Sequence, residues 1–284
     1  MVKIFLLYFF VFFTFVCTAQ NLSIPISLID NQKFLAEVKQ LDQFMKRFNN
    51  KEYILTGNEK SNADILKEKE NPIAFQTERK QAILSLFNFS DSNLVYNEKT
   101  VEFINYVGND SNHIELNFFD NNWYAKVNCT ISYKGKEQIV DITLKNEGNN
   151  KEGFKWVISG LNETFFNISP NRTDTSKFIS PMNHELGFMD LHNAFTDSKN
   201  ITDYTSKNFY PDNLSVFLFL VKSGEIKYVQ VNAIKYHFLQ VKNWRFTVEH
   251  FNRPDNNAGW LISSLVNCSD SDKMNYKKTV LSLR

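Results

Sequence analysis

Five histidines, three cysteines and a nearly even set of acids and bases are the groups with which this chain could do chemistry. His113, His184, His192, His237 and His250 form no HxH or HExxH spacing, the patterns by which a short segment holds zinc. His184 and His192 stand about two helical turns apart, too far to share an ion. No glycine-rich phosphate loop and no GxSxG elbow occurs. The expectation is therefore no metal and no cofactor. For acid–base chemistry, two weak candidates remain, His237 and His250, since burial in a sheet can tune an imidazole toward general-base work. Neither has a carboxylate at fixed spacing, so no catalytic residue is assigned.

The aromatic residues offer a different chemistry, stacking against a ligand. Trp156 and Trp260 open strands at matching places and are expected in the core, where large rings supply most buried area. Trp244 sits mid-strand and is the better pocket candidate. With Tyr236, His237 and Phe238 it is expected to form one ligand-binding wall. His250 shares strand parity with Trp244, Phe246 and Val248, which places it on the apolar side. Asp141 and Arg245 have the opposite parity and lie away from that face.

These residues must be positioned by the elements around them. Phe34 to Phe48 repeats apolar residues at helical intervals, with Asp30 as a cap. Thr77–Asn88 reads as a second helix. Alternation predicts strands over His113–Phe119, Trp123–Tyr133, Gln138–Lys145 and Phe154–Leu161. Asn167–Asn183, rich in Ser, Thr, Pro and Asn, reads as a linker. His184–Phe195 returns to a helical pattern. Val216–Val221, Ile226–Gln240, Asn243–Phe251 and Gly259–Val266 read as strands.

The chain opens MVKIFLLYFFVFFTFVCTAQ. Lys3, the apolar run Ile4–Val16 and small residues ending at Ala19 have the form of a cleavable signal peptide. The run is short for a bilayer span, which takes about 20 residues. An uncleaved anchor and lipidation of Cys17 are the alternatives, although Val16 stands where a lipoprotein carries a small residue. The expected location is periplasmic or extracellular, with surface tethering open and no membrane span after cleavage. Without Lys3 the acids and bases balance, so nothing favours nucleic acid. Cys129 and Cys268 read as separate thiols, with a bridge as the alternative.

The second half repeats the first. Laid together without a gap, Trp123–Leu161 and Lys227–Leu265 match Tyr124 with Tyr228, Val127-Asn128 with Val231-Asn232, and Thr143 with Thr247. WVISGL from Trp156 falls on WLISSL from Trp260. Asp141 and Arg245 are also equivalent positions. Two copies of this size are duplicated domains rather than a solenoid. The expected organisation is a signal peptide over 1–19, a first α+β domain over 21–166, a linker over 167–183 and a second α+β domain over 184–284.

The order of helix, strands and a last strand opening on Trp resembles the nuclear transport factor 2-like superfamily, with its SnoaL-like and ketosteroid-isomerase-like members. Trp123–Leu161 and Lys227–Leu265 carry the resemblance, and the charged segment Glu52–Pro72 departs from it. The resemblance implies α+β architecture in two tandem cone-shaped domains, each a helix layer on a curved antiparallel sheet. It also implies a sheet concavity that binds ligands, or in some members does acid–base chemistry. The leading expectation is a non-enzymatic exported protein binding a small apolar or carbohydrate ligand, or a protein partner. The alternatives are an isomerase- or dehydratase-like enzyme with a histidine base in the second domain, and a structural interaction module without a ligand.

Overall fold

The structure, a computed structural model, describes residues 37–51, 79–95, 97–149, 153–162, 178–206, 209, 212–254 and 256–283. The leader, Cys17, most of the linker and the segment Glu52–Pro72 lie outside the described residues. Among the described residues no helix is long and apolar enough to cross a membrane.

The architecture is α+β. Among the described residues four α-helical pieces come first: α1 (Leu41–Phe48), α2 over residues 79–84, α3 (Ser92–Val95) and α4 (Glu98–Val107). Three strands follow, β1 (Trp123–Tyr133), β2 (Lys136–Asn149) and β3 (Gly153–Leu161). Then come α5 (Leu191–Thr196) and α6 (Asn213–Lys222), with short 3-10 turns beside α5. The chain ends in β4 (Ile226–Phe238), β5 (Trp244–Phe251), β6 (Gly259–Asn267) and α7 (Asp270–Thr279).

The six strands form one antiparallel sheet in the order β3-β2-β1-β4-β5-β6. Read outward from the centre, each half lays down the same succession of strands, so the repeat is built as a pseudo-two-fold about the β1–β4 pair. Asn128 and Asn232, matched in the repeat, meet at that axis. A shift of register falls there, and the Asn232 amide donates to Asn128 Oδ1 at 3.0 Å.

Strand alternation divides the sheet into two faces. On one face Trp123, Ala125, Val127, Cys129 and Ile131 of β1 are all buried. The helices cover this face crosswise. Phe44, Met45 and Phe48 of α1, Ile83 and Leu84 of α2, and Phe103 of α4 pack on Phe238, Phe246, Val248 and Leu261 of the second half. Conversely, Leu214, Phe217 and Leu220 of α6 pack on Ala125, Val127, Ile131, Val140 and Leu161 of the first half. Each half's helices therefore reach across onto the other half's strands. The chain segments before β1 are tied further to β6. Val38 N donates to Ala258 O and Trp260 N to Val38 O, while Ile262 N donates to Leu86 O. Gly259, at φ +89°, permits this contact, because a Cβ there would overlap the Val38 carbonyl.

Several expected elements differ. Val38, placed in a helix by spacing, is extended and bridges to Gly259, so the helix begins only at Leu41. Phe34 and Leu35 lie outside the described residues. His113–Phe119 forms no strand, because it runs as a loop pinned by Asn49, whose side chain bonds both backbone groups of Leu116. Val216–Val221 is helix, not strand. An unbroken apolar run has no period to separate the two states, and α6 uses the run to cover β1. His184–Phe195 breaks at Gly187, in the left-handed conformation, into a 3-10 turn and α5. Helices α4 and α7 were not expected. The strand expectations over 123–161 and 226–266 are matched to within a few residues at their ends.

Candidate functional site

The second face of the sheet carries the polar residues. Lys126 and Asn128 of β1, Asp141 of β2, Lys235 and His237 of β4, Arg245, Thr247 and Glu249 of β5, and Ser264 of β6 all face it. With Tyr276 and Val280 from the C-terminal segment they line a pocket of about 500 Å³. This volume falls within the range of small-molecule sites.

The pocket exists because α7 closes one side of an otherwise open polar face. Ser269 and Asp272 start α7 with a reciprocal capping box. Lys273 is buried, and its ammonium donates to Leu239 O at 3.0 Å and Val241 O at 2.6 Å. Burial pulls its pKa down, and these two carbonyls supply the partners a buried ammonium needs. Leu281 is fully buried against Tyr124 and Leu239. These anchors set Tyr276 over the sheet.

Tyr276 then organises the centre. Its hydroxyl lies 2.8 Å from His237 Nδ1. The Arg245 guanidinium lies over its ring, Cζ 4.0 Å from the centroid. Burial raises the Tyr276 pKa and Arg245 opposes the rise. His237 is only 2 % exposed, and its Nε2 has no hydrogen-bond partner among the described residues. Its pKa falls to about 3, first through burial and then through the charges of Lys235, Lys126 and Arg245. The imidazole is thus neutral at ordinary pH.

The carboxylates of the pocket are already engaged. Asp141 pairs with Lys126 at 3.3 Å and accepts from the Asn128 amide at 2.6 Å. Glu249 pairs with Lys235 at 2.9 Å and accepts from Ser263 Oγ at 2.6 Å. Ser263 reaches this side because the β5–β6 register shifts beside Val248. Among the described residues no carboxylate stands within ion-pair distance of Arg245. The lining holds three cations and two anions.

Of the expected wall, only His237 lines this pocket. Phe238 and Trp244 are buried on the helix face, 0 % and 2 % exposed, where Trp244 meets Phe103 edge-on at 5.4 Å. Tyr236 packs there too, against Trp123 and Trp260, and burial raises its pKa. The four residues do not share a space, because alternation along β4 sends 236 and 238 to one face and 237 to the other. His250 is exposed and rests edge-on against Trp260 at 5.2 Å, beyond the helix cover. Trp156, expected in the core, is 37 % exposed, and Trp260 is half-buried. Both lie on the outermost strands of the sheet. Cys129 and Cys268 are separate buried thiols, each with its pKa raised by burial.

Asp141 and Arg245 were not among the expected site residues. Their signal was available, because they are equivalent in the repeat and their parity places both on the polar face. No protein-family model matches the chain, and neither a curated protein nor a solved structure matches it. The class is therefore defined by geometry alone: an α+β protein with a six-stranded antiparallel sheet and a polar pocket under its last helix.

Proposed function

We propose that this is an exported, non-enzymatic binding protein that takes a small polar ligand, of carbohydrate or similar character, in the pocket between the sheet's polar face and α7. The observation that carries this reading is the pocket itself, lined by charged and hydrogen-bonding groups from five strands and the C-terminal segment. Phe44, Phe48, Phe103, Phe238 and Phe246 stack on the apolar face ring to ring, with centroids 5.0–6.5 Å apart. Export rests on the leader sequence. The likeness to nuclear transport factor 2-like proteins stays part of the proposal. Helices on one face of antiparallel strands favour it, while their crosswise packing departs from two self-contained cones.

A general-base role for His237 has less support. Its ring partner is a tyrosine hydroxyl rather than a carboxylate, and a base with pKa near 3 takes up a proton poorly at neutral pH. Titration calorimetry of the chain from Gln20 onward with neutral and charged sugars tests the binding reading. Saturable binding of at least one, weakened by Arg245→Gln, is expected. Absence of binding to any of them at millimolar concentration would sink the reading.

A protein partner is the second reading, and one feature favours it. β4 pairs with β5 only through Lys235–Phe238, so its stretch from Ile226 to Ala233 has an edge with no strand beside it among the described residues. Tyr228, Val229 and Val231 on that stretch are exposed. Such an edge can accept an extended segment. Hydrogen exchange of the isolated protein should show fast outward amides over 227–233 and slow ones in β1. Equal protection in both strands would mean that the edge is covered.

A further inference from the structure

We propose that the pocket is built for an oxyanion: a carboxylate or phosphate group of the ligand sits between the Arg245 guanidinium and His237 Nε2–H. This rests on the reading of the pocket as a polar ligand site and names the group that the site recognises.

The argument begins with the one proton of the Tyr276 hydroxyl. The Arg245 guanidinium, Cζ 4.0 Å from the Tyr276 ring centroid, is the cation that faces this phenol. The adjacent positive charge turns the hydroxyl dipole, oxygen toward Arg245 and proton away. The group 2.8 Å away on the other side is His237 Nδ1. Tyr276 therefore donates to Nδ1, and the neutral ring carries its proton on Nε2. The tautomer follows from the network around it. The result is a directed relay from Arg245 through Tyr276 to an Nε2–H that meets no acceptor among the described residues.

A buried donor left without a partner is unfavourable, so a ligand that supplies the acceptor recovers that cost. The surrounding charge decides which acceptor. Lys126 and Lys235 are matched by Asp141 and Glu249, and Arg245 supplies the unmatched positive charge. An acceptor carrying negative charge satisfies both the donor and the cation, whereas a neutral hydroxyl satisfies only the first. Arg245 also keeps donors free on its fork, which suits the two oxygens of a carboxylate or phosphate.

The test is calorimetry of the chain from Gln20 onward with D-glucose, D-glucuronate, D-glucose 6-phosphate and inorganic phosphate. The expected result is that glucuronate or glucose 6-phosphate binds at least tenfold more tightly than glucose. The two sugars separate carboxylate from phosphate as the source of the oxyanion. Arg245→Gln is expected to erase the preference while leaving the thermal midpoint nearly unchanged, since Arg245 is only half-buried. A second readout needs no variant: nitrogen NMR of His237 should report a protonated Nε2 and an accepting Nδ1 at pH 7, with the Nε2–H signal moving as the oxyanion is added. Equal affinity for glucose and the two charged sugars would overturn the oxyanion proposal and leave the binding site standing. Binding of none would overturn both. A proton on Nδ1 would overturn the relay.

Discussion

Phe246→Ala should lower the stability of this protein by about 3–5 kcal/mol, the usual cost of removing a fully buried ring. Phe246 is 1 % exposed, and its ring lies 5.0 Å from Phe238, 5.8 Å from Phe103, 5.9 Å from Phe48 and 6.5 Å from Phe44. These neighbours come from β4, α4 and α1. One substitution therefore loosens the contact between the helices of the first half and the strands of the second. Domains of this kind have only about 5–15 kcal/mol of total stability, so the loss is a large part of it. Urea unfolding followed by circular dichroism measures the effect. The repeat supplies a comparison. Ile142 occupies the equivalent place in the first half and is only partly buried under α6, so Ile142→Ala should cost less. Phe219→Ala, on the exposed side of α6 at 67 % exposure, should change stability by no more than about 0.5 kcal/mol. Were Phe246→Ala to cost no more than Phe219→Ala, the crosswise packing would not hold in solution.

The strands were legible because their alternation is local. Trp123, Ala125, Val127, Cys129 and Ile131 repeat at period two between an Asn-rich loop and the turn at Lys134-Gly135, and nothing competes with that pattern. The helices were less legible, for reasons that differ. In α6 the run Val216–Val221 is apolar on every side, so neither period is visible. In α4 the signals were present: Asn97 caps the helix through Lys99 N, and Phe103, Ile104 and Val107 follow at helical spacing. They were hidden by the expectation that strands dominate from that point. The crosswise packing could not be read at all. It depends on which apolar face meets which, and Phe103 carries no mark that its partner is Phe246 rather than Ile142.

The pocket was half-legible for a related reason. His237 stood out by type, yet it was grouped with its sequence neighbours Tyr236 and Phe238, which point to the other face. Its true neighbours sit on other elements: Arg245 on β5, Lys126 on β1, and Tyr276 on a helix that was not expected. Parity had already set Asp141 and Arg245 on the polar side. Treating that face as solvent-exposed, rather than as one wall of a site, concealed their role. In a sheet with helices on its apolar face, a second cover on the polar face converts surface charges into a lined cavity. Here α7 supplies that cover.

Acid should destabilise the protein through His237 well before the carboxylates are protonated. In the unfolded chain His237 takes a proton near pH 6.5, whereas in the fold it stays neutral down to about pH 3. Between those values the unfolded state binds one more proton than the native state, so stability falls as pH falls. The slope is about 1.4 kcal/mol per pH unit, and the contribution is fully present only above pH 6.5. The causes are burial first, then Lys235, Lys126 and Arg245. Tyr276 shields Nδ1, and the Asp141 and Glu249 carboxylates are already paired with lysines. Unfolding free energies measured from pH 7 to pH 5 should steepen toward this slope below pH 6.5 in the wild-type chain. His237→Asn, which keeps an acceptor near Tyr276 and cannot titrate, should be flatter by about one proton's worth. Equal slopes in the two proteins would mean that His237 is accessible to protons in the fold. A bound oxyanion beside Nε2 offsets part of the field from the three cations, raising the native pKa of His237. Glucuronate or glucose 6-phosphate should therefore shallow the acid slope of the wild-type chain and leave that of His237→Asn unchanged, which ties the acid sensitivity and the ligand preference to the same nitrogen.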